Sequence, residues 1–418
     1  MIKSRLTLLV GALVLAGCSS DKAPTIAAVE PTAAEPQLQT TSNVTAPDTA
    51  FCSVALDAAA VQLDGFRKAY PDPTQIARSY EKNAARLVSD SDWTSGFVAG
   101  SFWYMYEHTQ DPSWLATAEQ WTVGLEQQKN NTGTHDIGFM MFPSYGNGLR
   151  LTGNASYEPI LIQSADSLMT RYNATVGATR SWDHGPWAFP VIIDNMMNLE
   201  LLYFASDSTG DQKYANAANS HSLTTLKNHF RADHSSYHVI DYDPATGAVT
   251  HKQTHQGIAD DSAWARGQAW GLYGYTMAYR FSEDAQFLQQ AQNIADFYLS
   301  HPNLPEDMVP YFDFDAPGNP EIVNSRDSSA ASVTASALLE LAAYAPEPQA
   351  TRYHEAALAM LRSLASPAYS ATNGENGHFL LMHATGRWQA DDEVDAAINY
   401  ADYYYLEALQ RCASLNDK

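Results

Sequence analysis

The run His255-Gln256-Gly257-Ile258-Ala259-Asp260-Asp261-Ser262-Ala263-Trp264-Ala265-Arg266-Gly267-Gln268-Ala269-Trp270-Gly271-Leu272-Tyr273-Gly274-Tyr275 begins polar and loop-like and ends as a helix. Gly257 breaks the chain, and Asp260, Asp261 and Ser262 are candidate N-caps. From Ala263 onward apolar residues recur at helical spacing. Trp264, Arg266 and Trp270 fall in the first turns, where free backbone N–H groups and the dipole favour an anion. Two readings stay open at this point. Arg266 beside aromatic faces holds a sugar carboxylate, or it is buried and paired with Asp260 or Asp261 among core tryptophans. Either way the helix is aromatic, rich in small residues and apolar on most sides, which places it inside a fold.

The same character recurs along the chain. Gly96–Thr109, Ile137–Leu151, Ile192–Ser206, Ala265–Phe281, Ser329–Ala345 and Asp395–Arg411 read as inner helices. Between them, Thr74–Asp90, Pro112–Gln128, Tyr157–Tyr172, Asp211–Phe230, Glu283–Ser300 and Thr351–Ala365 read as amphipathic outer ones. Short turns such as Thr109-Gln110-Asp111-Pro112 join them, and Pro112 suits a first helical position. Six helical hairpins with apolar inner helices predict an all-α fold, an (α/α)6 barrel, in one domain over 51–418. Ser53–Tyr70 reads as an additional N-terminal helix. An open solenoid would need polar caps at both ends, and the C-terminal helix has none.

The 418 residues are 45% hydrophobic and 11% aromatic, and the formal charge is −23. Such a surface repels phosphate backbones and excludes nucleic-acid binding by a broad basic patch. An anionic substrate would need a locally positive pocket. Lys3 and Arg5 precede the apolar run Leu6–Leu15 and the small residues Ala16-Gly17, the pattern of a signal peptide over residues 1–17. Leu15-Ala16-Gly17-Cys18 has the form of a lipobox, which would make Cys18 a lipid-bearing first residue; plain secretion is the simpler alternative. Residues 18–50 then form a tether rich in Ala, Pro and Thr, with a reach of roughly 30 Å. The expected location is the outer membrane, facing the periplasm, with membrane contact through the anchor only. Cys52 and Cys412 remain, either as a disulfide joining the two ends of the domain or as two separate buried thiols.

If the inner helices run parallel, the loops entering them share one end of the barrel. Trp93, His135 with Asp136, Trp182 with His184 and Trp187, Asp194, His238, Gln256, Arg266, Arg326 to Ser329, and His383 all lie at such entries. Aromatic and carboxylate residues ringed by positive helix ends suit a sugar site. Two carboxylates suit glycosidic chemistry, one as proton donor. Asp194 lies in Phe189-Pro190-Val191-Ile192-Ile193-Asp194, and apolar neighbours should raise its pKa and keep it protonated. The sequence shows no metal-ligand spacing, phosphate loop or nucleophile elbow.

Several longer runs resemble glycoside hydrolase family 88, the unsaturated glucuronyl hydrolases. They are His135-Asp136-Ile137-Gly138-Phe139, Ile193-Asp194-Asn195-Met196-Met197-Asn198-Leu199, Ser236-Tyr237-His238-Val239-Ile240-Asp241-Tyr242, Asp261-Ser262-Ala263-Trp264-Ala265-Arg266-Gly267-Gln268-Ala269-Trp270 and Tyr400-Ala401-Asp402-Tyr403-Tyr404-Tyr405-Leu406-Glu407-Ala408-Leu409. The resemblance implies the (α/α)6 barrel and removal of a 4,5-unsaturated uronic acid from lyase-generated oligosaccharides, by hydration of the C4=C5 bond. It implies Asp194 as general acid/base and Asp136 as the second essential carboxylate. His238 and Gln256 would surround the reacting carbons, Arg266 and Trp270 would contact the carboxylate and ring, and Trp93 and Trp182 would be stacking walls. Ser328 and Ser329, with Arg326, the loop Ser370–Gly377 and His383, would line the outer subsite. No metal or cofactor is implied. An unsaturated rhamnogalacturonyl hydrolase and a non-catalytic sugar-binding lipoprotein are the competing readings.

Overall fold

The computed structural model describes residues 49–318, 325–372 and 374–417. The expected signal peptide, Cys18 and nearly all of the tether lie outside the described residues. The inner helices are α2 (Ser95–Thr109), α4 (Ile137–Met141) with α5 (Asn147–Thr152), α7 (Asn195–Asn198) with α8 (Glu200–Thr209), α10 (Ala265–Ser282), α12 (Ser328–Ala342) and α14 (Asn399–Ala413). The outer ones are α1 (Ala50–Ala69), α3 (Pro112–Val123), α6 (Tyr157–Met169), α9 (Gln212–Asn228), α11 (Ala285–Ser300) and α13 (Gln349–Leu364). Each inner helix packs on the next, and α14 returns to α2, so the ring closes. This is the (α/α)6 barrel that the sequence predicts.

Burial follows the two helix types. Every residue of α10 from Ala265 to Ala278 is buried, whereas α13 buries one stripe, Tyr353, Ala357, Leu358, Met360, Leu361 and Leu364. Three inner-to-outer turns repeat one device. Gln110, Gly210 and Glu283 take left-handed backbone, and Asp111, Asp211 and Asp284 then cap the next helix by accepting its amides from Ser113, Lys213 and Gln286. Each cap stabilises its helix by about 1 kcal/mol.

Three expectations need correction. The segment Thr74–Asp90 is not an outer helix but a hairpin of β1 (Ile76–Glu81) and β2 (Ala84–Val88). Lys82 and Asn83 both take positive φ, 50° and 61°, the two-residue turn that matches strand twist. The outer place belongs to α1, read from sequence as a helix added to the ring. The all-α reading therefore describes the barrel but not its entrances. In one sheet β1 pairs with β9 (Asp392–Ile398), which pairs with β8 (Ala384–Arg387). In another, β5 (Pro190–Ile192) pairs with β6 (Val239–Tyr242), which pairs with β7 (Val249–Gln253). A small ribbon, β3 (Tyr172–Asn173) with β4 (Ala178–Thr179), completes the strands among the described residues.

Consequently the third and sixth inner helices start later than Ile192 and Asp395, because β5 and β9 occupy their approaches. Finally, Asp260, Asp261 and Ser262 do not cap α10. Its N-cap residue is Trp264, in extended backbone, while Asp260 accepts the Thr254 amide and Ser262 donates to Asp313 at 2.6 Å.

Cys52 of α1 and Cys412 of α14 form a disulfide across 360 residues of sequence, both fully buried. It fastens the first outer helix to the last inner one. Among the described residues no helix is long and apolar enough to cross a membrane. Cys412→Ser is expected to lower stability by about 2–4 kcal/mol, read as a lower urea midpoint with a steeper slope, because the uncrosslinked chain unfolds to a more expanded state. An unchanged midpoint would show that packing alone holds α1 in place.

Candidate active site

Asp136 and Asp194 occupy the N-cap positions of α4 and α7, yet neither side chain bonds its own helix amides. An N-cap aspartate ordinarily spends its carboxylate on those N–H groups. Here both carboxylates stay available. Asp136 accepts from the Thr134 hydroxyl at 2.7 Å and lies 3.2 Å from Nε2 of buried His135. Asp194 is 7% exposed, and its Oδ2 is buried without a hydrogen-bond partner among the described residues. Burial pushes its carboxyl up to about 7. The Arg266 guanidinium opposes that shift, the Asp136 charge adds to it, and the indole N–H of Trp270 approaches without completing a hydrogen bond.

The imidazole facing Asp194 is oriented by backbone. His238 Nδ1 accepts the amides of His255 at 3.0 Å and Gln256 at 3.1 Å. Amides only donate, so Nδ1 carries no proton and the neutral ring holds its hydrogen on Nε2. That Nε2 stands 3.6 Å from Asp194 Oδ2 and has no other partner among the described residues. Burial, with help from His255 and Arg266, holds the ring well below its usual pKa, so it stays neutral. The result is a buried N–H donor and a carboxyl poised near neutrality, side by side.

Arg266 resolves the two open readings. Its partner is neither Asp260 nor Asp261 but Asp327, at 2.7 Å with both side chains buried. It also donates to the carbonyls of Thr385 and Gly386 and lies 4.6 Å over the Trp264 ring. It is thus a core arginine that also acts on Asp194 through its field. Gln256 donates to the Gly386 carbonyl at 3.1 Å. Trp182 stacks on His184, and with Trp187 and His255 it forms an aromatic wall reaching His238. Trp93 packs on Tyr400, whose ring lies 5.3 Å from the Arg266 guanidinium. Trp270 is fully buried and packs on the rings of Phe139 and Tyr404.

The proposed outer-subsite residues are dispersed by comparison. Ser329 bonds Asp327 and Arg266 in the first turn of α12, and Ser328 Oγ is buried without a partner. Arg326 pairs with Asp307, and His383 with Asp395 at 2.5 Å. The loop from Ser370 is bonded to α1 through Gln62; Asn373 lies outside the described residues.

Sequence reasoning missed three contributors. Asp327 was visible only as part of a polar run. His255 opens the quoted stretch but has no motif of its own. Arg387, whose Nη1 lies 3.3 Å from His255 Nε2, has no ion-pair partner among the described residues. Among the described residues no group of three or more His, Cys, Asp or Glu could hold a metal ion.

Comparison with known proteins agrees with this fold. The model of glycosyl hydrolase family 88 matches residues 69–304. The chain is 48% identical over 332 residues to the unsaturated glucuronyl hydrolase of Formosa agariphila, covering 78% of this chain and 82% of that one. It is 34% identical over 361 residues to the unsaturated chondroitin disaccharide hydrolase of Streptococcus agalactiae, covering 84% and 87%. The fold is similar to the crystal structure of an unsaturated glucuronyl hydrolase specific for heparin, with a TM-score of 0.85, 44% identity, and 88% and 98% coverage. The chain belongs to glycosyl hydrolase family 88 and is a glycoside hydrolase.

A carboxyl held near 7 in the fold and near 3.9 when unfolded keeps a proton that the unfolded chain loses. Its burial therefore destabilises the protein increasingly as pH rises from about 4 to about 7. Relative to Asp194→Asn, wild-type stability should fall across that window, measured by urea unfolding at each pH. A constant difference would contradict the raised pKa.

Proposed function

We propose that Asp194 is the general acid/base of a hydrolase that removes a 4,5-unsaturated uronic acid from the non-reducing end of an oligosaccharide. The observation that carries this reading is the buried Asp194 carboxyl, pushed up to about 7 and with its Oδ2 unbonded among the described residues, beside the neutral Nε2–H of His238. The carboxyl gives its proton to C4 of the double bond while water adds at C5, and the carboxylate takes a proton from that water. The C5 hemiketal opens, and the hemiacetal left at C1 releases the remaining saccharide. Asp136, one helix away, positions the sugar ring. His238 donates from Nε2 to a substrate or water oxygen, and the Trp182 wall takes the face of the sugar. The inner-helix N-termini, with Arg266 behind them, favour the uronate charge on an otherwise acidic protein.

Purified protein is expected to abolish the ultraviolet absorbance of the enol carboxylate in lyase digests. Asp194→Asn should slow that loss by about 10²–10⁴-fold. For the wild type, kcat/KM should decline above pH about 7, as the acid loses its proton. A panel of chondroitin, hyaluronan, heparin, ulvan and pectin products would identify the backbone. Wild-type rates in Asp194→Asn, or binding without turnover on every product, would overturn the assignment.

The proposed place of action is the periplasmic face of the outer membrane, through acyl chains on Cys18. The lipobox supports this, and a buried disulfide is at home in an oxidising compartment. Labelled palmitate should enter the wild-type protein and not Cys18→Ala; equal labelling of both would remove the anchor.

A further inference from the structure

A cavity lies away from the proposed chemistry. It encloses about 570 Å³ and is lined by the later turns of the inner helices, including Tyr104, Phe204, Arg280, Tyr403, Glu407 and Arg411. Along α10, about 21 Å of helix rise separates Arg266 at the catalytic end from Arg280 here. Trp270 stands between Asp194 and this cavity. Its indole N–H approaches Asp194, while its ring lies 5.3 Å from Phe139 and 5.4 Å from Tyr404, both of which line the cavity. The volume is typical of small-molecule sites, which span about 300–1,000 Å³.

The wall limits what can bind. Arg150 holds Glu107 through two bonds of 2.6 Å. Arg280 pairs with Glu200 and Glu340, and Arg411 with Glu340 and Glu407. Four carboxylates thus face three guanidiniums, at helix ends whose exposed carbonyls add negative potential. An anion such as the uronide is unwelcome. A cation fares little better, because both oxygens of Glu107, Glu340 and Glu407 are already bonded. A neutral guest disturbs none of these pairs. Phe142, Phe204, Tyr273 and Tyr403 supply aromatic surface for apolar C–H groups, and each bonded carboxylate oxygen keeps a second lone pair that a hydroxyl can use without displacing its guanidinium.

We propose that this cavity is a second binding site, for an uncharged mono- or disaccharide, separate from the Asp194 site. It goes beyond the hydrolase reading and does not depend on it. The lining fits the two sides of a pyranose, one apolar and one hydroxylated. The site opens at a rim that includes the exposed Ser414, on the helix end opposite the aromatic wall.

The test uses the full chain carrying Asp194→Asn, titrated with N-acetylglucosamine and with cellobiose by calorimetry and saturation-transfer NMR. Saturable binding is expected, and it should persist when an unsaturated chondroitin disaccharide is present in excess. Ser414→Trp, which crowds the rim, and Phe204→Ala, which removes a ring, should each weaken it by about tenfold or more. Two variants at opposite sides of the cavity guard against one that misfolds. Absence of saturable binding by both probes would overturn the proposal. So would binding that the uronide displaces and both variants leave intact, since the probes would then occupy the Asp194 chamber.

Discussion

A guanidinium with no access to water sits at the centre of the catalytic end. Arg266 and Asp327 are both buried, so each can be charged only because the other is. Their pairing ties α10 to α12, and the bonds from Arg266 to Thr385 and Gly386 draw β8 over the entrance. Removing one member of such a pair costs about 3–5 kcal/mol, because the other is left uncompensated. The same charge is what keeps Asp194 from being pushed still higher. Stability and acid strength therefore share one interaction.

The barrel supplies the rest of the electrostatics through direction alone. Six inner helices run parallel, so their amino ends converge, and the strands β5 to β9 cover the approaches. Two aspartates sit at N-caps without doing the work of caps. On the outer turns the opposite holds, and Asp111, Asp211 and Asp284 are spent on helix amides. One residue type thus serves the proposed chemistry at one place and chain punctuation at another, and the difference is where the carboxylate finds its hydrogen bonds.

The two ends of the axis differ in the same physical terms. At the amino ends, helix dipoles and Arg266 suit an anionic sugar, and among the described residues Asp194 Oδ2 is left unbonded. At the carboxyl ends, the charges are mutually paired around aromatic faces. Trp270, packed between Asp194 and the rings of Phe139 and Tyr404, keeps the two environments apart.

Much of this was legible in the chain. Apolar all-round helices alternating with amphipathic ones are a local property, and they gave the hairpin count, the closed ring and the inner position of α10. The apolar neighbours of Asp194 were enough to expect a raised carboxyl pKa, and the Cys52–Cys412 pairing was open from the start. What could not be read was set by partners far away in sequence. Residues 74–90 form a hairpin because β9, more than 300 residues later, provides a strand beside β1. Arg266 finds Asp327 rather than the adjacent Asp260 or Asp261, since only the folded barrel brings α12 against α10. The tautomer of His238 depends on two amides from another loop, and the second cavity on side chains from five inner-helix segments. Periodicity and neighbours fix what a segment prefers; tertiary contacts decide which groups are left unpaired, and the proposed chemistry rests on those unpaired groups.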